Sequence, residues 1–324
     1  MGTPIVSARL VWLVCLFGTL TAGAATAAQR YAVIINGASG GEKYAAQQKT
    51  WRSDLTVALK NKLVFPPANI VVFAEDAPDS VVPTAENVRK LFTELRRRVT
   101  RDDLLMIVLI GHGTYDGVDA KFNLVGPDLT AAEWNSMLDG VPGQMILVNT
   151  TESSFPFLEA LSRRGRVVIT ATDTPAQRFA TVFPEYFAQA IGDLASDLDK
   201  NGRISIWEAF RAASSGVRTY YEQRGQLSTE RPVLDDNGDG KGREAGDPGP
   251  DGTVALGLFL DAEPGSLTPD AELASLYRRR AALEEQIEAL KNLRSLISQA
   301  DYDAQLEQLL IQLSRIAQQI RQGS

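Results

Sequence analysis

From residue 30 onward, apolar and polar positions switch between a period of two and a period near 3.6. "RYAVIING" (30–37) is a short β-rich run closed by glycine. "EKYAAQQKTWRSDLTVALKNKL" (42–63) follows with helical spacing at Trp51, Leu55, Leu59 and Leu63. "NIVVFAE" (69–75) predicts a second strand, and "TAENVRKLFTELRRRV" (84–99) a second helix with Thr84 as its N-cap. "DLLMIVLIG" (103–111) is apolar throughout, as a strand buried on both faces must be. "QMILVN" (144–149) and "RVVITATD" (166–173) predict two more strands around a helix at "SFPFLEALSRR" (154–164). "TVALGLFLDA" (253–262) reads as a last strand, at the edge or returning to the sheet. Strand–helix alternation of this kind predicts an α/β fold, a mostly parallel sheet with helices on both faces.

Past the breaker-rich linker "EPGSLTP" (263–269) the composition shifts to Leu, Ala, Glu, Gln and Arg. Leu276, Leu283, Leu290 and Ile297 recur every seven residues, as do Leu306, Leu313 and Ile320, with "SQADYD" (298–303) between the two series. Residues 270–324 are therefore expected to form an α-helical hairpin, or a coiled coil that pairs with a second copy and makes the protein a homo-oligomer.

The first 28 residues do not fit the alternation. Arg9, the apolar "LVWLVCLFGTL" (10–20) and the small residues of "AATAA" (24–28) form the pattern of a secretory signal peptide. An exported protein, periplasmic or secreted, is expected. Cys15 is the only cysteine and lies inside that segment. Its removal excludes disulfides, thiolate metal sites and a cysteine nucleophile from the mature chain. The chain carries 40 acidic and 33 basic residues, a net charge of −7, with no basic stripe, so nucleic acid is not an expected partner. No later segment is apolar enough to span a membrane.

In parallel α/β sheets, ligands gather at the carboxyl ends of the strands. His112, the only histidine, stands there between two glycines, and "NTTESS" (149–154) ends the next long strand. If those strands are neighbours, the imidazole faces Thr150, Thr151, Glu152, Ser153 and Ser154. His112-Gly113, the segment "VNTTESS" and the opening "VIINGASGGEKYAAQ" (33–47) together resemble the legumain-type branch of the caspase-like cysteine peptidases. The resemblance implies a caspase-like (caspase-hemoglobinase) sheet for residues 29–262, with His112 and Thr151 at the two catalytic positions. Thr151 stands where that family has its cysteine. Ala45-Ala46 stand where legumains carry an Arg-His pair for the substrate side chain.

An alcohol needs a general base oriented by a third group, and no carboxylate is evident in the sequence to orient His112. The expected function is thus a pseudo-peptidase: a binding or scaffold module that takes a protein or peptide in its crevice. The alternative is a hydrolase in which His112 is general base to Thr151 or Ser153. A third possibility is an assembly protein whose helical tail carries the function. If the crevice is inert, the hydroxyls of Thr150, Thr151, Ser153 and Ser154 are expected to cap the helix opening near Phe155-Pro156.

Two acidic loops carry a different chemistry. "DLDKNGRISIWE" (197–208) has the spacing of an EF-hand loop. Asp197, Asp199 and Asn201 stand at positions one, three and five, and Gly202 at six. The Arg203 carbonyl, Ser205 and Glu208 follow at seven, nine and twelve. "EYFAQAIGDL" (185–194) and "IWEAFRAASSGVRTYYEQ" (206–223) are amphipathic flanks. "DDNGDGKGREAGDPGPDG" (235–252) repeats the first half with Asp235, Asn237, Asp239 and the Lys241 carbonyl, but Gly246 holds the twelfth position. Glu244, Asp247 or Asp251 are the candidates to close it. Oxygen-only donors select Ca²⁺ over transition metals. In an exported chain without disulfides the ion is expected to act as a structural clamp.

Overall fold

The computed structural model describes residues 28–323, apart from 78–79, 263, 266–267, 269, 293 and 295–296. The expected signal peptide, with Cys15, lies outside the described residues except for Ala28, and so does part of the 263–269 linker.

The first half of the chain runs β1 (Arg30–Asn36), α1 (Glu42–Val57), β2 (Ile70–Phe73), α2 (Ala85–Arg98) and β3 (Leu104–Ile110). Three short strands and a helix come next: β4 (Gly113–Tyr115), β5 (Ala120–Phe122), β6 (Leu129–Thr130) and α3 (Ala131–Leu138). The second half continues with β7 (Gln144–Asn149), α4 (Phe155–Leu161), β8 (Arg166–Thr170), α5 (Phe183–Ala190), α6 (Ile206–Gln223), β9 (Val233–Asp235) and α7 (Thr253–Leu256). Two long helices, α8 (Ala271–Asn292) and α9 (Gln299–Gly323), end it.

Six strands form one sheet in the order β2-β1-β3-β7-β8-β9, parallel except for β9. The central strands show the period of two: Met106, Val108 and Ile110 of β3 face one apolar layer, and Leu105, Ile107 and Leu109 the other. The first layer is filled by Leu55 and Leu59, Phe183 and Phe187 of α5, and Phe210 and Val217 of α6. The second is filled by Val88 and Phe92 of α2, Trp134 of α3, and Phe157 and Leu161 of α4. Thr84 caps α2, its hydroxyl accepting Asn87 N–H at 3.2 Å.

One expectation needs correction, and one unassigned stretch is filled in. Residues 253–262 do not form the sixth strand: they open as α7, and only Phe259 bridges antiparallel to Ser205. Val254 and Leu256 point to solvent, so that apolar run does not carry the alternation of a buried strand. The sixth strand is β9, three residues long and antiparallel to β8. The stretch 113–138, unassigned from sequence, holds the β4-β5-β6 antiparallel sheet and α3.

The α8 and α9 helices share a small cluster of their own, with Leu283, Ile316 and Ile320 buried. No helix among the described residues is long and apolar enough to cross a membrane.

Candidate functional site

β3 and β7 are adjacent and parallel, with Leu109 opposite Asn149. The turns after them therefore meet, and His112 lies beside the 150–154 segment. The glycine after His112 has a steric reason. A Cβ on Gly113 would come within 2.5 Å of the Thr151 hydroxyl oxygen and 2.4 Å of the Glu152 carbonyl. On the other side of the ring, Gly40 has φ +72°, and a Cβ there would stand 2.8 Å from His112 Nε2. The imidazole is thus pressed between the turn after β1 and the turn after β7. Tyr44 of α1 meets its edge, ring centroids 4.8 Å apart.

Both ring nitrogens of His112 are engaged. Nε2 lies 3.1 Å from the Ser39 carbonyl, which can only accept, so this nitrogen carries a proton. Nδ1 lies 2.8 Å from Glu152 Oε1, and a carboxylate there also calls for N–H. The Glu152 hydrogen bond, outweighing burial of the ring, raises the pKa of His112 above its ordinary 6.5. A ring that donates from both nitrogens to these two acceptors is an imidazolium, with no lone pair to offer. Glu152 faces the ring as expected, but its role as the carboxylate that orients it is not evident from the sequence. It lies forty positions from His112, and only the adjacency of β3 and β7 brings the two together.

None of the hydroxyls reaches the ring. The Thr151 hydroxyl lies 2.8 Å from Asn149 Oδ1 and 3.1 Å from the Glu152 carbonyl, both acceptors. The Ser153 hydroxyl faces the carbonyls of Gln177 (3.1 Å) and Pro175 (3.3 Å). Thr150 donates to the Leu109 carbonyl at 2.7 Å. Among the described residues no hydrogen bond joins His112 to Thr151 or Ser153.

The expected capping role is corrected too. Ser154, the N-cap of α4, makes no side-chain cap bond. The free N–H groups of Ser154 and Phe155 are accepted instead by Thr172 Oγ1, at 3.0 and 3.2 Å, from the turn after β8.

The acidic loop 197–208 lies beyond α5 and leads into α6. α5 ends at Ala190, and a 3₁₀ turn (Leu194–Ser196) delivers Asp197. The carboxylates of Asp197, Asp199 and Glu208 offer oxygens within 4.8 Å of one another, a group that could hold a metal ion. Asp197 and Glu208 are buried. Backbone N–H groups hold each carboxylate in place: Asp197 accepts from Asn201 and Gly202, and Asp199 from Asn201. Glu208 accepts from Leu198 and Asp199 through Oε1, and from Ser205 through Oε2.

The remaining predicted ligands have local partners. Asn201 Oδ1 accepts Arg203 N–H at 2.8 Å. The Ser205 hydroxyl forms a capping box with Glu208 at the start of α6. The Arg203 side chain turns away, in a double hydrogen bond to Asp261 and 4.0 Å over the Phe259 ring. Ile206 N–H donates to the Leu258 carbonyl at 2.9 Å, which ties the loop exit to the 258–259 segment.

In the second loop Asp235 is buried and accepts N–H from Gly238 and Gly240. Asn237 accepts from Asp239, and Asp239 from Lys241. Glu244 is exposed, and its side chain makes no hydrogen bond among the described residues. The carboxylate that reaches the loop is Asp251, which accepts Asp236 N–H at 3.2 Å and Asn237 N–H at 3.3 Å. Burial, together with the Asp235 and Asp236 charges, pushes Asp251 up to about 6.

No family model matches this chain, and no curated protein matches it. Among solved structures, the crystal structure of protein GSU0716 from Geobacter sulfurreducens is similar with a TM-score of 0.44 at 12% identity, covering 64% of this chain and 92% of that one.

Proposed function

We propose that this chain is an exported pseudo-peptidase of the legumain-type, caspase-like kind, which binds protein or peptide in its crevice without cutting it. Calcium in the loop 197–208 braces the domain, and α8 and α9 act as a coiled-coil hairpin through which copies can associate. One observation carries the catalytic half of this reading: the lone imidazole is held at both nitrogens, by Ser39 and by Glu152. A general base must present a lone pair to the proton it removes. Thr151, the residue at the nucleophile position, gives its hydroxyl to an acceptor instead. The hydrolase alternative finds no support in this geometry, since Ser153 is likewise directed at carbonyl oxygens.

The resemblance to legumain-type proteins is supported by order and placement: His-Gly closes β3, and Thr-Glu-Ser closes β7 beside it. Calcium is supported by the donor set. Two buried carboxylates and one exposed carboxylate, with amide and carbonyl oxygens between them, suit a hard cation of flexible geometry.

A fluorophosphonate probe tests the inert crevice. In calcium buffer the protein is expected to remain unlabelled over hours. Labelling that disappears in Thr151→Ala or Ser153→Ala, and in His112→Ala, would show an activated hydroxyl and overturn the proposal.

A further inference from the structure

We infer a second divalent-cation site in the loop 235–251, closed by Asp251. It rests on the reading of 197–208 as a cation loop, because much of its hydrogen-bond pattern repeats that loop. The differences are that Asp235 Oδ1 accepts from position four, Gly238, where Asp197 Oδ1 accepts from position five, Asn201, and that Asp235 Oδ2 also accepts the Ser162 hydroxyl at 2.6 Å. In both loops the residue at position six donates its N–H to the first aspartate, Gly202 to Asp197 and Gly240 to Asp235. In both, position five donates to the side chain at three, and position seven to the side chain at five. The left-handed residues also coincide: Lys200 and Gly202 in one loop, Gly238 and Gly240 in the other.

The closing carboxylates correspond as well. Glu208 Oε1 accepts the N–H groups of positions two and three, Leu198 and Asp199. Asp251 Oδ1 accepts those of positions two and three in its own loop, Asp236 and Asn237. Asp251 is reached only after a longer Gly- and Pro-rich excursion than twelve positions allow, which is why Gly246 stands at the expected place. The setting of the closers differs: Glu208 lies in the first turn of α6, whereas Asp251 precedes α7.

What distinguishes a ligand site from a well-braced turn is the other oxygen of Asp251. The residue is 5% exposed, and its Oδ2 is buried with no hydrogen-bond partner. Leaving a buried carboxylate oxygen without a partner is expensive, and a cation held with Asp235, Asn237, Asp239 and the Lys241 carbonyl would satisfy it. With Asn at position three and a shorter aspartate as closer, this loop gathers its charge less tightly than the first. A weaker site of the same chemical class is expected.

The two sites can be counted separately. Trp207 immediately precedes Glu208 and packs on Gly252, whose added Cβ would lie 3.0 Å from its ring, so one indole stands beside both loops. Equilibrium dialysis with Ca²⁺, backed by Trp-sensitised Tb³⁺ luminescence on the full chain, is expected to give two equivalents per chain. Glu208→Gln and Asp251→Asn should each leave one. The exposed Asp239→Ala should weaken the second site roughly tenfold or more while sparing the first. Glu244→Gln should leave both. If Asp251→Asn fails to fold, Asp239→Ala still decides the matter. A single equivalent abolished by Glu208→Gln would overturn the second site alone, as would two equivalents surviving in Asp239→Ala. Two equivalents surviving in Glu208→Gln would overturn the first, and no binding at all would overturn both.

Discussion

Stripping divalent cations from this protein is expected to lower its melting temperature by about 10 °C, and Glu208→Gln to reproduce most of that loss. A cation held by the native state alone stabilises it by about 4 kcal/mol at a thousandfold excess over Kd. A domain of this size shifts by roughly 2–4 °C per kcal/mol. Glu208 is the residue to change because its two oxygens bind opposite ends of the loop, Leu198 and Asp199 on one side and Ser205 on the other. Glutamine keeps the shape and removes the charge a cation needs. The control is internal: with chelator present, wild type and Glu208→Gln should melt close together, and calcium should separate them. Scanning calorimetry showing the same melt with calcium and with chelator would end the clamp model.

The second large effect comes from a buried acid that the crevice does not use. Glu230 is 1% exposed. It accepts the N–H groups of Val182 and Phe183, at the opening of α5, and the Tyr221 hydroxyl. Burial outweighs those donors and pushes its pKa up to about 7. Burial likewise pushes Tyr221 up to about 12, so the phenol stays protonated and remains a donor.

The folded protein therefore binds a proton at Glu230 more tightly than the unfolded chain does. That contribution is fully present below the unfolded value of 4.5 and is lost as pH rises through about 7. Across that window wild type should lose about 3 kcal/mol more stability than Glu230→Gln. The difference between the two proteins isolates this group from His112, whose pKa is raised above 6.5 by Glu152. Glu230→Ala should cost about 3 kcal/mol at pH 5, because it strands two buried N–H groups and leaves the Tyr221 phenol only its Thr229 partner. Urea unfolding at several pH values measures both. Parallel stability curves for wild type and Glu230→Gln would contradict the assignment.

The sequence made some of this plain and hid the rest for identifiable reasons. The α6 helix was legible to the residue from its amphipathic run, 206–223, and the structure adds a capping box between Ser205 and Glu208 at its start. The central strands were legible because burial on both faces leaves them no polar position, as in Leu104–Ile110. The 253–262 run misled because short apolar stretches do not separate helix from strand, and here Gly257 divides it. The two- and three-residue strands between 113 and 130 are too short to show a period. The Thr130–Glu133 capping box, however, was a local signal for α3 that could have been found.

The site roles that the sequence did not reveal share another cause. Glu152, Thr172, Glu230 and Asp251 each act on backbone or side chains distant in sequence. Nothing in "STERPV" (228–233) marks Glu230 as a buried cap. Thr172 falls at the end of the expected strand 166–173, and Asp251 is one of three acids equally able to close the second loop by sequence. Those choices are made by strand adjacency and by which N–H groups the fold leaves free, neither of which is a local property.

The central claim is that the one imidazole is an ion-paired cation and not a base. Because His112 is the only histidine, its ring ¹⁵N signals can be followed without ambiguity through a pH titration. The Glu152 bond predicts an imidazolium that persists above the ordinary 6.5, and the stabilisation it brings is complete below that pH and fades as pH rises through the folded value. In Glu152→Gln, burial and the weaker Ser39 bond remain, and the midpoint should fall below that of wild type. A ring in wild type that is neutral below pH 6.5, with Nδ1 free of its proton, would contradict the account and restore His112 as a base.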